Sequence, residues 1–285
     1  MHIPSLELLG QSLLSGLFIG GLYGLLGLGL SLSWGMLRQI NLAHFALAFL
    51  GAYLTYQLSE HFKLDPFLTM VIIVPGFFLI GMAMHWVFAR FKVTPFNSLL
   101  VTFGLAVIIE SLIQWIWSAD YRKLESSYSD VKFQVGQLFF PLPELMTLLI
   151  AIALSLATWA LLRYTALGKA MRAMSENPRM AAAFGINEPM LALVLSGAAS
   201  AFAGVAGACL ALSFTLAPSQ IYAWVGVVFS AVMIGGLGNP LGPLVAGIVI
   251  GLSEAATMAV TAPAWAPLVS FSLLIAVLLL RPGKV

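Results

Sequence analysis

Charge is what this sequence has least of. Asp, Glu, Lys and Arg together make up 8% of its 285 residues, where a soluble domain carries about 25%. Water is therefore excluded as the main environment. The net charge is +2 and there is no basic run, so nothing marks a nucleic-acid-binding protein. The single cysteine, Cys209, excludes an intrachain disulfide. It sits in an apolar stretch with no histidine nearby, which argues against a thiol nucleophile. The four histidines show no metal-ligand spacing, and no nucleophile–base pair is visible, so no catalytic or metal site is expected. No Lys or Arg precedes Arg38. The first apolar segment lacks the basic flank of a secretory signal and is expected to be a retained membrane helix.

What remains is hydrophobic: 61% of residues, with a mean hydropathy of +1.01. A spanning helix needs about 20 mostly apolar residues. Candidate spans are 8–35, 40–58, 66–90, 97–118, 142–163, 188–214, 222–237, 243–262 and 264–281. The seventh is short, and the pair around Gly235–Pro243 could form a partly re-entrant hairpin. The expected fold is an all-α, polytopic transmembrane bundle of eight or nine spans, one domain over 1–285. Cytoplasmic loops are enriched in Lys and Arg. With residue 1 outside, Arg38, Arg90, Lys92, Arg163, Lys169, Arg172, Arg179, Arg281 and Lys284 fall inside, nine of the thirteen bases. Lys63, Arg122, Lys123 and Lys132 fall outside, the last three in a 119–141 loop that also holds Asp120, Glu125 and Asp130. The N-terminus is thus expected outside and the C-terminus in the cytoplasm. Residues 8–58 and 222–262 both read as helix, Gly-rich break, helix, a weak internal echo of the kind transporters use.

One polar island interrupts the membrane pattern, at 165–187. Asn177 suits an N-cap, Pro178 the first helical position, and Gly185 a C′ residue. The stretch reads as two short helices joined at an elbow. Lys169, Arg172 and Arg179 hold it on the cytoplasmic side, and Arg172 and Glu176 are spaced to pair on one face. Neither helix is long enough to be stable alone in water. An ordered cytoplasmic double helix implies a docking partner.

Four other features carry polar groups into the membrane. Asn41 and His44 lie one turn apart at the start of the second span. They read either as a helix cap plus a histidine bound to a carbonyl, or as a polar element at the mouth of a pathway. Glu254 lies near the middle of the 243–262 span, while Glu110 and Gln114 share a face of the fourth. These three read either as interhelix hydrogen-bonding groups or as the border of a translocation route. Gly235, Gly236, Gly238, Asn239, Pro240 and Gly242 superficially resemble a phosphate loop. The spacing is G-x-G-x-x-x-G, without a P-loop lysine or a βαβ context. A tight break between two membrane helices explains them better. Gly16, Gly20 and Gly24, like Gly197, Gly204, Gly207, Gly247 and Gly251, read as close helix-packing positions.

Several pieces together resemble a family. They are Ile40 to His44 followed by Gly51 to Tyr53, Gly168 to Met174 with Gly185 to Asn187, Ala231 to Gly242, Gly251 to Glu254, and Arg281 to Gly283. Over essentially its whole length the chain resembles the inner-membrane permeases of ABC importers for branched-chain amino acids, the LivH type. The resemblance implies a multi-pass permease that forms half of a translocation pathway in a bacterial inner membrane. Its partners would be a second, LivM-like permease, two ATPase subunits and a periplasmic binding protein. The chain itself would hold no cofactor, ATP and Mg being used by the ATPases. Gly168, Lys169, Arg172, Glu176, Asn177, Arg179 and Gly185 would form the element that couples to them. Phe45 stands where the family often has a small residue, and Arg90 to Lys92 with Pro95 replaces an arginine-rich stretch. These departures leave the substrate open among branched-chain amino acids, urea, amides and other small organic acids. A stand-alone channel or secondary carrier for a small polar solute is the rival reading, and it leaves the ordered cytoplasmic loop without a role.

Overall fold

A computed structural model describes residues 5–280, so Arg281 to Gly283 and Lys284 lie outside the described residues. In chain order the elements are α1 (Leu6–Leu37), α2 (Ala43–Phe62), α3 (Pro66–Arg90), α4 (Pro95–Trp117), β1 (Lys132–Val135), β2 (Leu138–Pro141) and α5 (Leu142–Tyr164). They continue with α6 (Ala166–Glu176), α7 (Pro178–Ala183), α8 (Glu188–Ser213), a 3₁₀ turn at Pro218–Trp224, α9 (Val225–Gly235) and α10 (Gly242–Val260). A second 3₁₀ turn at Pro263–Trp265 leads into α11 (Ala266–Leu280).

Among the described residues, seven segments are long and apolar enough to cross a membrane: α1, α3, α4, α5, α8, α10 and the stretch Pro218–Gly235. The sequence-based count of eight or nine also included 40–58 and 264–281. The first became α2, which has the length but carries polar residues such as Gln57, Ser59 and Glu60. They fall in its last turns, where Gln57 accepts from Trp117 Nε1 at 2.9 Å and Glu60 stays partly exposed. The second became α11, which begins at Ala266 after the 3₁₀ turn Pro263–Trp265 and is described as far as Leu280.

α1 and α8 form the interior. α1 packs along α10, and α8 along α2 and α3. Small residues decide how closely they approach. A Cβ on Gly16 would stand 2.5 Å from the Gly251 carbonyl oxygen, and one on Gly20 would stand 2.7 Å from that of Gly247. The reciprocal positions are as tight, with Gly251 facing Gly16 O at 2.3 Å and Gly247 facing Gly20 O at 2.6 Å. In lipid, where no hydrophobic drive separates helix from solvent, this backbone contact is a main source of cohesion. The packing role expected for these glycines is what the geometry shows.

The 119–141 segment holds a β-hairpin the sequence reading did not anticipate. Two strands of four residues pair from Lys132 with Pro141 to Val135 with Leu138. Gly136, at φ +65°, takes the first position of the two-residue turn. The Gln11 side chain of α1 binds both the N–H and the C=O of Phe139, at 2.9 and 3.0 Å. At the same end Arg122 and Leu216 exchange backbone hydrogen bonds of 2.9 and 2.7 Å. Tyr128 donates to Asp65, which caps α3 at Phe67 N. That bond, with burial and the charge beside it, pushes the Tyr128 phenol above its usual range.

The glycine seam gives a direct test. Gly251→Leu drives a side chain into the backbone of α1, which has nowhere to yield. Overpacking of this kind costs about 1–3 kcal/mol or more. The purified variant is expected to melt several degrees lower than the parent or fail to survive detergent extraction. A variant as stable as the parent would mean that α1 and α10 are held by something else.

Candidate functional site

The polar island folds as its caps dictate. Thr165 accepts from Gly168 N at 3.0 Å to start α6. Asn177 Oδ1 accepts from Met180 N at 3.2 Å to start α7, with Pro178 in its first turn. Gly185, at φ +81°, ends it. Ile186 N reaches Ala181 O at 3.1 Å and Gly185 N reaches Ala182 O at 2.9 Å, which is the Schellman arrangement. Asn187 then caps α8 at Met190 N.

α6 is held by this chain's own bundle. Gly168 lies flat on α5, where an added Cβ would stand 2.2 Å from Leu161 O. Met171 and Met174 are buried in a cluster with Leu28, Leu32, Met36 and Leu162. The opposite side is open: Arg172 is exposed at its edge, beside α5 and the α9–α10 break, and Lys169, Glu176, Asn177 and Arg179 are exposed as well. So are two large apolar side chains next to them, Met180 at 56% and Phe184 at 80%. The expected Arg172–Glu176 pair does not form; among the described residues the one ion pair is Lys63–Glu60, at 4.0 Å. A base four residues before an acid is the weaker order on a helix, and such a pair is worth only about 0.2–0.5 kcal/mol.

The glycine break is a helix hairpin. Gly235 ends α9 and Gly242 begins α10, and their backbones touch: a Cβ on Gly242 would stand 2.0 Å from Gly235 O. Gly236 and Gly238 take φ of +90° and +75°, and Asn239 Oδ1 accepts from Leu241 N at 3.1 Å. Pro240 completes the turn. Ser31 of α1 fastens it, its hydroxyl bonding to Gly236 O and accepting from Gly238 N at 3.1 Å. Ser31 is a residue the sequence reading missed; a serine on an apolar helix gives no cue until its partner is known.

Asn41 does not cap α2. The helix begins at Ala43, its N-cap is Leu42, and Asn41 Oδ1 is buried without a hydrogen bond among the described residues. The role passes to Thr102 of α4, which accepts from Leu42 N at 3.0 Å and donates to Ile40 O at 3.2 Å. His44 is fully buried and its Nε2 bonds Leu26 O at 2.9 Å. That carbonyl bond is the one expected in the first of the two readings, while Nδ1 is buried without a hydrogen bond among the described residues. Phe45 stacks on Phe229, with ring centroids 6.2 Å apart.

Glu254 is also an interhelix group. Tyr23 of α1 donates to its Oε2 at 3.0 Å, and Ser270 of α11 donates to its Oε1. Three helices therefore meet on one buried carboxylate. Glu110 and Gln114 lie elsewhere, on the outer side of α4, where Gln114 Nε2 donates to Glu110 Oε1 at 3.3 Å. Gln114 is exposed, and Tyr222 of the 3₁₀ turn faces Glu110. The five polar residues thus fall in three places, not one site.

The sequence matches the family described as branched-chain amino acid transport system, permease component, over residues 12–278. It is similar to the high-affinity branched-chain amino acid transport system permease protein LivH of Escherichia coli K12, with 26% identity over 95% of this chain and 93% of that one. The corresponding BraD protein of Pseudomonas aeruginosa is 25% identical over 95% and 94%. A probable LivH of Methanocaldococcus jannaschii is 28% identical over 90% and 86%. No solved structure matches the chain.

The Glu254 contacts set an expectation. Glu254→Ala leaves two buried hydroxyls without their acceptor, a loss of about 1–3 kcal/mol, while Glu254→Gln keeps an acceptor and costs less. Adding Tyr23→Phe to Glu254→Ala is expected to cost little further in thermal unfolding. Full additivity of the two would show that Tyr23 and Glu254 are not coupled.

Proposed function

The chain belongs to the branched-chain amino acid transport permease family, and from that membership we propose that it is one permease subunit of an ABC importer. It resides in the inner membrane as a multi-pass protein and forms half of a pathway for branched-chain amino acids or related small polar solutes. A second, LivM-like permease completes the pathway, two ATPase subunits power it with ATP and Mg, and a periplasmic binding protein delivers the solute. This chain contributes no catalytic group.

The observation that carries this reading is the α6–α7 surface. Its buried side is anchored to α5 by Gly168 and to the core by Met171 and Met174. Its open side offers Met180 and Phe184 beside Lys169 and Arg179. Exposed apolar side chains rimmed by charge mark a protein interface. Such an element passes a partner's movement into the bundle, because α6 is packed against α1 and α5. A stand-alone channel or carrier has no use for it.

The charge asymmetry supports residue 1 outside, α6 and α7 in the cytoplasm, and the β-hairpin on the periplasmic side, an arrangement of eight or nine crossings in which α2 also crosses. His44 and Glu254 are buried and bonded within this subunit. The route is better served by the outer side of α4, where Glu110 is half-buried and Gln114 is exposed.

Two experiments test the proposal. In a Cys209-free background, Ser127→Cys is expected to react with an impermeant thiol reagent on intact cells, and Ala173→Cys only after permeabilisation. The opposite pattern inverts the orientation. In the assembled complex, Phe184→Glu is expected to lower substrate-stimulated ATP hydrolysis by about tenfold or more, a change of roughly 1.4 kcal/mol in the contact. Undiminished hydrolysis with full subunit content would remove α7 from the coupling surface.

A further inference from the structure

Beside the coupling helix lies a cavity of about 390 Å³, between the last turn of α5, α6 and the break joining α9 to α10. Arg163 and Arg172 both line it, together with Trp159, Gly238, Asn239 and Pro240, and no acidic residue does. Among the described residues neither arginine has a carboxylate within 4.0 Å. Arg163 is held by aromatic rings instead, its guanidinium 5.3 Å from the Trp159 centroid and 5.8 Å from that of Tyr164. Asn239 spends its side-chain oxygen on Leu241 N, which leaves its amide N–H groups as further donors.

Two exposed guanidinium groups without a carboxylate partner on one small cavity make it a place of positive potential, which favours an anion. Their planar forks match a phosphate, whose oxygens accept paired N–H donors. The surroundings say what carries it. Trp159 and the exposed Tyr164 are the residue types that mark the headgroup level of a bilayer. Leu149, Leu156 and Arg163 follow one another at intervals of seven along α5, so they share one side of that helix. Both leucines are exposed, at 51% and 48%. An apolar track thus leads away from Arg163 toward the membrane interior, as an acyl chain would run.

We propose that this cavity binds the phosphodiester headgroup of an anionic phospholipid from the leaflet on the α6 side. The placement of that leaflet at the cytoplasmic surface rests on the permease orientation given above. A bound headgroup bridges α5, the coupling helix α6 and the α9–α10 break, so it fastens the ATPase-facing element to a helix hairpin of the membrane core. Without it, the two arginines are left to solvent and this bridge between the elements is absent. Coupling is then sensitive to the lipid as well as to the ATPase.

The test uses the whole complex, purified and placed in nanodiscs of phosphatidylcholine with or without phosphatidylglycerol. Native mass spectrometry is expected to find phosphatidylglycerol retained on this subunit in preference to phosphatidylcholine. Arg163→Gln is expected to weaken that retention by about tenfold, roughly 1.4 kcal/mol. Arg163→Lys, which keeps the charge without the fork, is expected to fall between the two and guards against a folding defect in the first variant. Stimulated ATP hydrolysis by the parent complex is expected to drop when phosphatidylglycerol is withheld, and the Arg163→Gln complex is expected to ignore the change. Equal retention of both lipids, or retention untouched by Arg163→Gln, overturns the proposal. Displacement of the lipid by millimolar inorganic phosphate alone also overturns it, since the site would then be one for a free anion. Lipid retention is measured without transport. A complex that binds the lipid but moves no amino acid would count against the permease reading and leave this site standing.

Discussion

Everything else in this molecule is arranged around the seam where α1 meets α10 without side chains between them. Gly16 and Gly20 on one helix and Gly247 and Gly251 on the other bring carbonyl oxygens to within van der Waals reach of the opposite backbone. That contact fixes the separation of the two helices, and three further features depend on it. Tyr23 reaches Glu254 only because α1 and α10 are this close. Ser31 reaches the α9–α10 break for the same reason. α1 also carries Leu28, Leu32 and Met36, the floor on which α6 rests. A helix that binds the core through its glycines and the coupling element through its leucines is well placed to transmit a displacement from one to the other.

The two ends of the bundle are built differently, and the difference follows from what each must do. At the hairpin end the contacts are polar and specific: Gln11 on the Phe139 backbone, Arg122 on Leu216, Tyr128 on Asp65. These pin the loops to the helix ends and give that end a fixed shape. At the α6 end α6 itself is held by apolar contacts, and most of its charged groups are exposed. Met171 and Met174 hold α6 through flexible side chains, which fill irregular space and accept small shifts. One end suits presentation of a constant surface, and the other suits movement.

Much of this was legible from the sequence because it is local. Hydropathy located the long helices, and Asn177, Pro178 and Gly185 marked the elbow and the end of α7, since caps act over three or four residues. The glycine break could be recognised by composition and by the failure of its spacing to match a phosphate loop. What was not legible depends on partners far away in the chain. Glu254 could be placed at mid-span, but its donors are Tyr23 and Ser270, 231 and 16 residues away. Asn41 was expected to cap α2, but a threonine 60 residues on takes the Leu42 N–H. The β-hairpin escaped notice because four-residue strands in a polar loop have too short a pattern to read, and Gly136 alone is a weak turn signal. α2 is less apolar than the other long helices because Gln57, Ser59 and Glu60 lie in its last turns, and hydropathy alone does not count it among the seven.

The central claim is that this chain moves its solute only when an ATPase acts on α6 and α7. Proteoliposomes that contain the full complex, with ATP supplied on the side of α6, measure this directly. With the binding protein and labelled leucine on the opposite side, leucine is expected to accumulate against its gradient while ATP is hydrolysed. Vesicles holding the two permeases alone are expected to remain empty. Rapid leucine entry into vesicles that lack the ATPase subunits, driven by a solute or ion gradient, would contradict the account and identify a channel or secondary carrier instead.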